Sequence, residues 1–296
     1  MITEEFSDKI PPFSVSAPAE QRVPYVFNSP HSGRVYPPSF LRSSKLDTSQ
    51  IRGSEDFHVD DLFQDVVRIG APLVKANFPR AFVDANREPY ELDEKLFGEK
   101  LPSYSNRKSA RVACGLGTIA RVVAESQEIY HEKPTIDEAL KRVEKLYRPY
   151  HEYLRKLLAR THVQFGYSVL IDCHSMPSSA VGGSNSNKPD IIIGDRFGTS
   201  CSFYISSAIT EIFKDLGLKV ARNKPYAGGF ITEHYGRPDL GLHAVQIEIN
   251  RGLYMDEKRL ILTPGFEQLR TQIAMFAERI VAIPDTSFYP EKQAAE

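Results

Sequence analysis

Short apolar segments typical of strands alternate with amphipathic segments typical of helices, and this alternation constrains the fold more than any other feature of the chain. Such an order favours a mostly parallel or mixed sheet covered by helices. The strand-like segments are 23–28, 71–77, 80–86, 167–172, 190–194 and 243–249. The helix-like segments are 60–70, 135–158, 200–217 and 264–282.

Local signals set the expected ends of several elements. Thr135 and Glu138 have the spacing of a capping box and predict a helix start, whereas Pro149 predicts a kink or break in that helix. Gly217 is expected to end the helix before it. Residues 91–111 are charged and irregular, and residues 178–187 are rich in Ser, Gly and Asn, so both segments are expected to form loops.

Length and composition limit the class of protein. The 296 residues, 41% of them hydrophobic, predict one α/β domain over 23–288, with a loosely ordered arm at 1–22 and a tail at 289–296. A net charge of -1 argues against a nucleic-acid partner. No apolar run reaches the length of about 18 residues that a membrane span needs, and the N-terminus does not resemble a signal peptide. Three widely spaced cysteines do not suggest disulfides. We therefore expect a cytoplasmic protein without a membrane partner.

Histidines follow two strand-like segments at the end where open α/β sheets collect functional residues. His31 follows 23–28. The strand whose apolar core begins at Ser168 runs directly into Asp172, Cys173 and His174, which suggests that its carboxyl end forms a solvent-facing rim. A lone histidine is more often structural, but two at strand ends favour a zinc site, since imidazole is a good zinc ligand. Asp172 shares the face of His174 in a strand and could orient it. Cys173 faces the opposite side, which makes a thiol nucleophile the weaker interpretation.

The acidic segment 53–63 supplies candidates for a third ligand. A catalytic zinc site has three protein ligands and one open position, and Glu55 or Asp56 would complete the set, with His58 nearby. Asp60 and Asp61 are explained more simply, because acidic residues stabilise the start of a helix.

Two further regions carry chemistry. Arg80, Asn86 and Arg87 indicate an anion-binding pocket because guanidinium groups bind carboxylates in a bidentate fashion, although a structural pair of Arg with Asp84 is the simpler alternative. Glu248 lies inside an apolar strand, on the same face as Gln246, and is a candidate general base. His234 and Tyr235 follow a Gly-Gly pair and are expected on a loop above the site.

Together, seven segments in order resemble the N-formylglutamate amidohydrolase family. They are NSPHSG, EDFHVDDLF, FPRAFVDANREP, RPYHEYL, IDCHSM, GGFITEHYG and HAVQIEIN. The family is similar to zinc-dependent carboxypeptidases and aspartoacylases. The resemblance therefore implies a three-layer α/β/α fold with a central mixed, mostly parallel sheet, one zinc ion, and hydrolysis of an N-formyl or N-acyl amino acid.

The resemblance also suggests roles for individual residues. His31 and His174 match the family histidines, and Asp56 matches the acidic position of the family motif. The residue before it, Glu55, departs from the threonine that the family usually has. His58 matches a further histidine, which leaves it as an alternative ligand or a residue that supports one. The pair Asn86-Arg87 resembles the pair with which carboxypeptidases hold a substrate carboxylate. The remaining matches are Arg80 beside that pair, His234 and Tyr235 near the substrate, and Glu248 as the base.

These observations predict zinc-dependent hydrolysis of a small N-acyl amino acid, with N-formyl-L-glutamate giving formate and L-glutamate. Two alternatives stay open. The same enzyme could act on another N-acyl or N-carbamoyl amino acid or a short peptide, because fold does not determine substrate. The chain could instead be a metal-free module that binds small carboxylates.

Overall fold

A central seven-stranded sheet organises the protein. The computed structural model describes residues 10–123, 127–181 and 188–283. The sheet has the strand order β1-β3-β2-β4-β7-β5-β6, and β8 and β9 form a separate pair. The strands are β1 (Phe13–Ser16), β2 (Tyr25–Ser29), β3 (Leu73–Ala76), β4 (Ser168–Met176), β5 (Ile191–Gly194), β6 (Val220–Arg222), β7 (Leu242–Asn250), β8 (Met255–Asp256) and β9 (Ile261–Leu262).

The sheet is mixed. Strands β2, β4 and β7 run parallel, β5 runs antiparallel to β7, and β6 runs parallel to β5. Strand β4 is buried along its whole length, as expected for a central strand covered on both faces. The α/β class with a central mixed sheet, predicted from the sequence, is confirmed.

The longer helices fall in the predicted regions, and there are several short additions. The predicted helix over 60–70 is only one α-helical turn, followed by a 3-10 helix over Gln64–Ile69. The α-helices are α1 (Pro38–Ser43), α2 (Thr48–Ile51), α3 (Val59–Leu62), α4 (Ala110–Ala113), α5 (Ile136–Arg142), α6 (Arg148–Phe165), α7 (Phe203–Asp215), α8 (Phe230–Tyr235) and α9 (Gly265–Val281). Gly217 has a φ of 82° just after α7, which a glycine adopts at little cost. Helices α7 and α9 pack together through the stacked rings of Phe213 and Phe276, whose centroids lie 4.3 Å apart.

The helix after Thr135 begins as predicted and continues past Pro149. The Thr135 hydroxyl accepts from the Glu138 N–H, and the Glu138 carboxylate accepts from the Thr135 N–H. A π-helical turn over Val143–Tyr147 joins α5 to α6. Since an interior proline removes an N–H and crowds the preceding turn, this wider turn accommodates Pro149, and the interruption lies just before the proline.

Residues 80–86 do not form the predicted strand. The N–H groups of Phe82 and Val83 both donate to the carbonyl of Pro79, and the N–H of Asp84 donates to the carbonyl of Thr118. Phe82 and Val83 are buried, so the apolar pattern reflects a buried turn rather than a strand. The preceding segment does form the predicted strand, β3.

The backbone groups into two compact units. One consists of Met1–Val15, Ser29–His58 and Val74–Leu157, and the other of Ser16–Asn28, Val59–Leu73 and Leu158–Glu296. The first unit contains α1, α2, α4 and α5, and the second contains β4 to β9, α3 and α7 to α9. The single domain over 23–288 remains a prediction. Strand β1 lies within the predicted arm, while the predicted tail and the loop residues 182–187 lie outside the described residues.

Helices α6 and α9 are the longest, with 18 and 17 residues. Neither these nor the shorter helices of the described ranges combine the length and the apolar character needed to cross a membrane.

Candidate metal centre

Polar side chains converge on one face of the three central parallel strands. Asn28 pairs in register with Asp172, Asp172 with Gln246, and His174 with Glu248. Because alternate residues of a strand face the same side, all five side chains lie on one face, between the middle and the carboxyl ends of β2, β4 and β7. This polar face interrupts an otherwise apolar core.

The solvent-facing rim expected at Asp172, Cys173 and His174 is wrong. Strand β4 continues to Met176, and its neighbours on both sides leave these three residues at most 2% exposed. Burial raises the pKa of the Cys173 thiol well above its ordinary value. A buried thiol with a raised pKa is a poor nucleophile, which supports the assignment of Cys173 as a structural residue.

The His174 ring is held by a carboxylate. Its Nε2 lies 2.9 Å from Asp172 Oδ2, and Asn28 Nδ2 donates to Asp172 Oδ1 at 2.7 Å. A carboxylate oxygen accepts in this contact, so Nε2 carries a proton. In a singly protonated ring the lone pair is then on Nδ1, the nitrogen that could bind a metal. Metal-binding histidines have this arrangement. The predicted contact between Asp172 and His174 is therefore present, and its part in orienting a ligand remains a prediction.

His31 is held in the same way by a second carboxylate. Its Nε2 lies 2.7 Å from Asp84 Oδ1, and its Nδ1 lies 3.5 Å from Asp56 Oδ2. Burial alone would raise the pKa of Asp84, but the neighbouring Arg87, His31 and Arg80 hold it well below its ordinary value. Asp84 therefore stays ionised and accepts from Nε2, which leaves Nδ1 directed towards Asp56.

The two histidines and Asp56 bring ligand atoms together. Potential ligand atoms of His31, Asp56 and His174 all lie within 4.8 Å of one another, and the three residues are buried. A neutral imidazole lone pair and a carboxylate oxygen are both acceptors, and a cation between them would stabilise their close approach. Two histidines and one carboxylate form a donor set of catalytic zinc sites, so these residues fit a zinc ion.

Glu55, one alternative third ligand, has a different partner. Arg52 donates to both Glu55 carboxylate oxygens, from Nε at 2.9 Å and from Nη2 at 3.0 Å. The Tyr36 hydroxyl also donates to Glu55 at 3.2 Å, and burial together with the Glu55 charge raises the pKa of Tyr36 well above its ordinary value. These contacts explain Glu55 as the buried partner in an ion pair with the partly exposed Arg52.

His58, the other alternative, also lies outside the group. Its Nδ1 is 2.8 Å from Arg34 Nη1, and its φ of 55° is in the left-handed region. Of the three candidates that the sequence left open, Asp56 is the one that the structure brings together with both histidines. Asp60 and Asp61 lie in the first turn of α3, as predicted.

Glu248 is held in position by an amide. Gln246 Nε2 donates to Glu248 Oε1 at 2.6 Å, and Gln246 Oε1 accepts from the Gly229 N–H at 2.8 Å. Because a backbone N–H can only donate, the orientation of the amide is determined. Glu248 is only 7% exposed and is the register partner of His174, which places a carboxylate beside the candidate metal ligands.

Both arginines of the predicted anion pocket contact Asp84. Arg80 Nη2 lies 3.0 Å and Arg87 Nη2 lies 3.5 Å from Asp84 Oδ2. Arg87 also donates from Nε to the Leu116 carbonyl and from Nη1 to the Asn86 carbonyl. The structural pairing with Asp84 is thus present. Since a guanidinium group has five N–H donors, these contacts still leave Arg87 donors for a ligand.

Arg111, which the sequence analysis did not select, adds positive charge here. Burial lowers the pKa of Arg87, Asp84 opposes that effect, and the charges of Arg80 and Arg111 lower the pKa further. Arg111 lies on α4, at the end of a segment that resembled a loop, and no local pattern distinguishes it. The charges that act on Arg87 are thus Arg80 and Arg111 on one side and Asp84 and Glu91 on the other, so with Arg87 itself the basic groups outnumber the acidic ones by one, which suits a carboxylate ligand.

His234 and Tyr235 lie on α8 rather than on the expected loop. The Glu233 N–H donates to the Gly229 carbonyl, so the helix starts directly after the Gly-Gly pair, without the Ser, Thr, Asp or Asn that usually signals a helix start. The His234 ring stacks on Phe230 at a centroid distance of 5.0 Å. Burial lowers the pKa of His234. A part for either residue in substrate binding remains a prediction.

Known proteins resemble the chain over most of its length. The profile of the N-formylglutamate amidohydrolase family matches residues 23–255. N-formylglutamate deformylases from Pseudomonas aeruginosa and Pseudomonas putida are each 28% identical to the chain. The first alignment covers 80% of this chain and 84% of the relative, and the second covers 80% and 83%.

Solved structures give the same result. The crystal structure of N-formylglutamate amidohydrolase from Ralstonia eutropha JMP134 superposes with a TM-score of 0.86 at 33% identity, covering 91% of this chain and 97% of that one. The gene product Atu2144 from Agrobacterium tumefaciens shares the fold, with a TM-score of 0.62 at 17% identity over 90% and 94% of the two chains. The chain belongs to the N-formylglutamate amidohydrolase family.

Proposed function

We propose that this protein is a zinc-dependent amidohydrolase that converts N-formyl-L-glutamate to formate and L-glutamate. The observation that carries the proposal is the convergence of His31, Asp56 and His174, each buried and with ligand atoms close together. Membership of the family and the N-formylglutamate deformylase relatives support the substrate. The location would be the cytoplasm.

The metal would be held by His31, Asp56 and His174. Bound zinc supplies a Lewis acid that polarises a carbonyl oxygen and lowers the pKa of a water molecule towards about 7. Asp84 and Asp172 support this site by keeping each imidazole in the tautomer whose Nδ1 is a lone-pair donor. Such supporting carboxylates typically change metal affinity about 10–100-fold.

Glu248 is the general base. Its carboxylate accepts the proton of the attacking water and delivers it to the leaving nitrogen when the bond between the formyl carbon and that nitrogen breaks. The hydrogen bond from Gln246 fixes the orientation of this carboxylate. Proton transfer by a positioned group typically contributes about 10²–10⁴-fold to the rate.

Arg87, Asn86 and Arg80 hold a substrate carboxylate, and His234 and Tyr235 contact the rest of the substrate. The positive potential of Arg80, Arg87 and Arg111 stabilises a small acidic ligand before the reaction. Holding the substrate relative to Glu248 removes part of the entropic barrier. This arrangement favours a free N-acyl acidic amino acid over a neutral amide.

A hydrolysis panel tests the proposal. The same zinc-loaded protein is assayed with N-formyl-, N-acetyl- and N-carbamoyl derivatives of glutamate, aspartate and histidine, and release of the free amino acid is measured. We expect the highest kcat/KM for N-formyl-L-glutamate. A higher value for an N-acetyl or N-carbamoyl compound would reassign the acyl group, and no turnover of any compound would reject the enzyme.

A further inference from the structure

The segment RPYHEYL, residues 148–154, contributes no residue to the proposed chemistry, yet it makes specific contacts with a segment that does. Tyr147, just before it, donates from its hydroxyl to the Arg87 carbonyl at 2.7 Å. His151 Nε2 lies 2.8 Å from the Ala85 carbonyl oxygen. These two carbonyls lie on either side of Asn86, so one helical face holds the backbone around this residue.

The donor and the acceptor of each hydrogen bond can be assigned. A carbonyl oxygen can only accept, so His151 Nε2 carries a proton and donates it to Ala85. Tyr147 ends the π-helical turn and His151 lies in the first turn of α6. Their rings pack with centroids 4.1 Å apart at 32°, so the two side chains lie on the same side. Each ring therefore supports the orientation of the other.

The carbonyls of 85–87 are all satisfied by side chains. The Ala85 carbonyl accepts from His151, the Asn86 carbonyl from Arg87 Nη1, and the Arg87 carbonyl from Tyr147. This segment is neither helix nor strand, so no regular backbone ladder holds it. Since buried carbonyl groups need partners, the two helical donors stabilise this backbone conformation, together with the hydrogen bond from the Asn86 N–H to Asp84 Oδ1 at 2.8 Å.

We infer that Tyr147 and His151 are positioning residues that preset Asn86 and Arg87 for the substrate carboxylate. The inference rests on the proposed function. The two side chains act through the backbone carbonyls of 85 and 87. A preorganised segment loses less conformational freedom when a ligand binds, so the contacts contribute to affinity for the carboxylate.

The packing of helix α6 depends on residues other than Tyr147 and His151. Tyr150 packs edge-on against Phe13 and Phe78, with ring centroids 6.0 and 6.1 Å away. Tyr153 packs on Phe13 at 5.2 Å. Loss of the Tyr147 hydroxyl therefore leaves the packing of α6 intact, and Tyr153→Phe is a matched control on the same helix.

The test compares Tyr147→Phe, His151→Leu, His151→Gln and Tyr153→Phe in the zinc-loaded protein, with N-formyl-L-glutamate as substrate. Steady-state kinetics give KM and kcat, and elemental analysis gives the zinc content. Losing one hydrogen bond should raise KM about three- to tenfold for Tyr147→Phe and His151→Leu, with kcat within about twofold. His151→Gln retains an N–H donor and should restore much of the loss, and Tyr153→Phe should match the wild type.

A lower kcat at unchanged KM in Tyr147→Phe, with or without a change in melting temperature, would indicate a structural role and overturn the inference. So would an unchanged KM in both deletion variants while the wild type hydrolyses N-formyl-L-glutamate. If His151→Leu does not fold, the KM of Tyr147→Phe alone tests the inference, because this substitution removes only one oxygen atom and should leave the fold intact. A wild type that does not hydrolyse N-formyl-L-glutamate would overturn the proposed function and the inference with it.

Discussion

Two adjacent acidic residues should respond to substitution in opposite ways. Asp56 lies in the group of candidate metal ligands, whereas Glu55 is bound by Arg52 and Tyr36. We expect Asp56→Ala to lose metal while it keeps most of its stability, and Glu55→Ala to lose stability while it keeps metal. The second variant is the matched control for the first.

The structure gives the sizes of both effects. Removing one partner of a fully buried ion pair costs about 3–5 kcal/mol. The Arg52 side chain is 26% exposed and can be rehydrated, so we expect about 2 kcal/mol for Glu55→Ala, or about 3 °C in melting temperature. Supporting residues of metal sites contribute about 10–100-fold to affinity. Loss of Asp56, a direct ligand, should weaken zinc binding at least about 100-fold.

The assay is competition for zinc with a chelator, together with thermal unfolding of each metal-free variant. Metal-free protein is used for unfolding because bound zinc would itself stabilise the folded state. Greater loss of zinc affinity in Glu55→Ala than in Asp56→Ala would refute the assignment of the third ligand. Little loss of zinc affinity in either variant would indicate that neither carboxylate binds the metal.

Three further changes test other parts of the site and fold. Glu248→Gln should retain zinc and substrate affinity but lose about 10²–10⁴-fold in kcat; a near wild-type rate would exclude Glu248 as the base. Arg87→Lys should lower kcat/KM for N-formyl-L-glutamate about ten- to a hundredfold and have less effect on a substrate whose matching carboxylate is amidated. Equal losses for both substrates with a lower melting temperature would leave Arg87 as a purely structural partner of Asp84. Burial lowers the pKa of His243 to about 4, whereas the unfolded chain protonates it at about 6.5. The unfolded state therefore binds the extra proton between these values, and stability should fall as the pH drops from about 6.5 to 4. His243→Gln should reduce that fall, and an unchanged pH dependence in urea unfolding would contradict it.

The elements with the strongest local patterns could be predicted from the sequence. The capping box at Thr135, the left-handed glycine at Gly217 and the apolar strands β2, β4, β5 and β7 all occur as expected. Strand and helix patterns reflect nearest neighbours and burial, which the chain specifies locally. His31 and His174 could be selected for the same reason, because both come soon after an apolar run in the sequence, although His174 itself lies within β4.

Other features depend on partners distant in sequence. The apolar segment 80–86 is buried as a turn because Asp84 bonds to Thr118, which no local pattern reveals. The choice between Glu55 and Asp56 depends on Arg52, which binds one of them. Asp172 and His174 are buried because strands flank β4 on both sides, and sequence alone did not show how far this strand extends.

The contacts of Tyr147 and His151 also depend on partners that are distant in sequence. Tyr147 and His151 reach carbonyls sixty or more residues away, and their aromatic rings would fit equally well in an ordinary helix core. Arg111 acts through its charge near Arg87 and belongs to no motif. Such residues become visible only when the chain is folded.

The metal content of the active protein tests the central claim most directly. Purified protein is analysed for bound metals and assayed with N-formyl-L-glutamate before chelation, after chelation, and after zinc is restored. We predict about one zinc ion per chain, loss of activity with the metal, and recovery with zinc, while His174→Ala retains its fold but little zinc. Full activity in metal-free protein, or full zinc content in His174→Ala, would contradict the account.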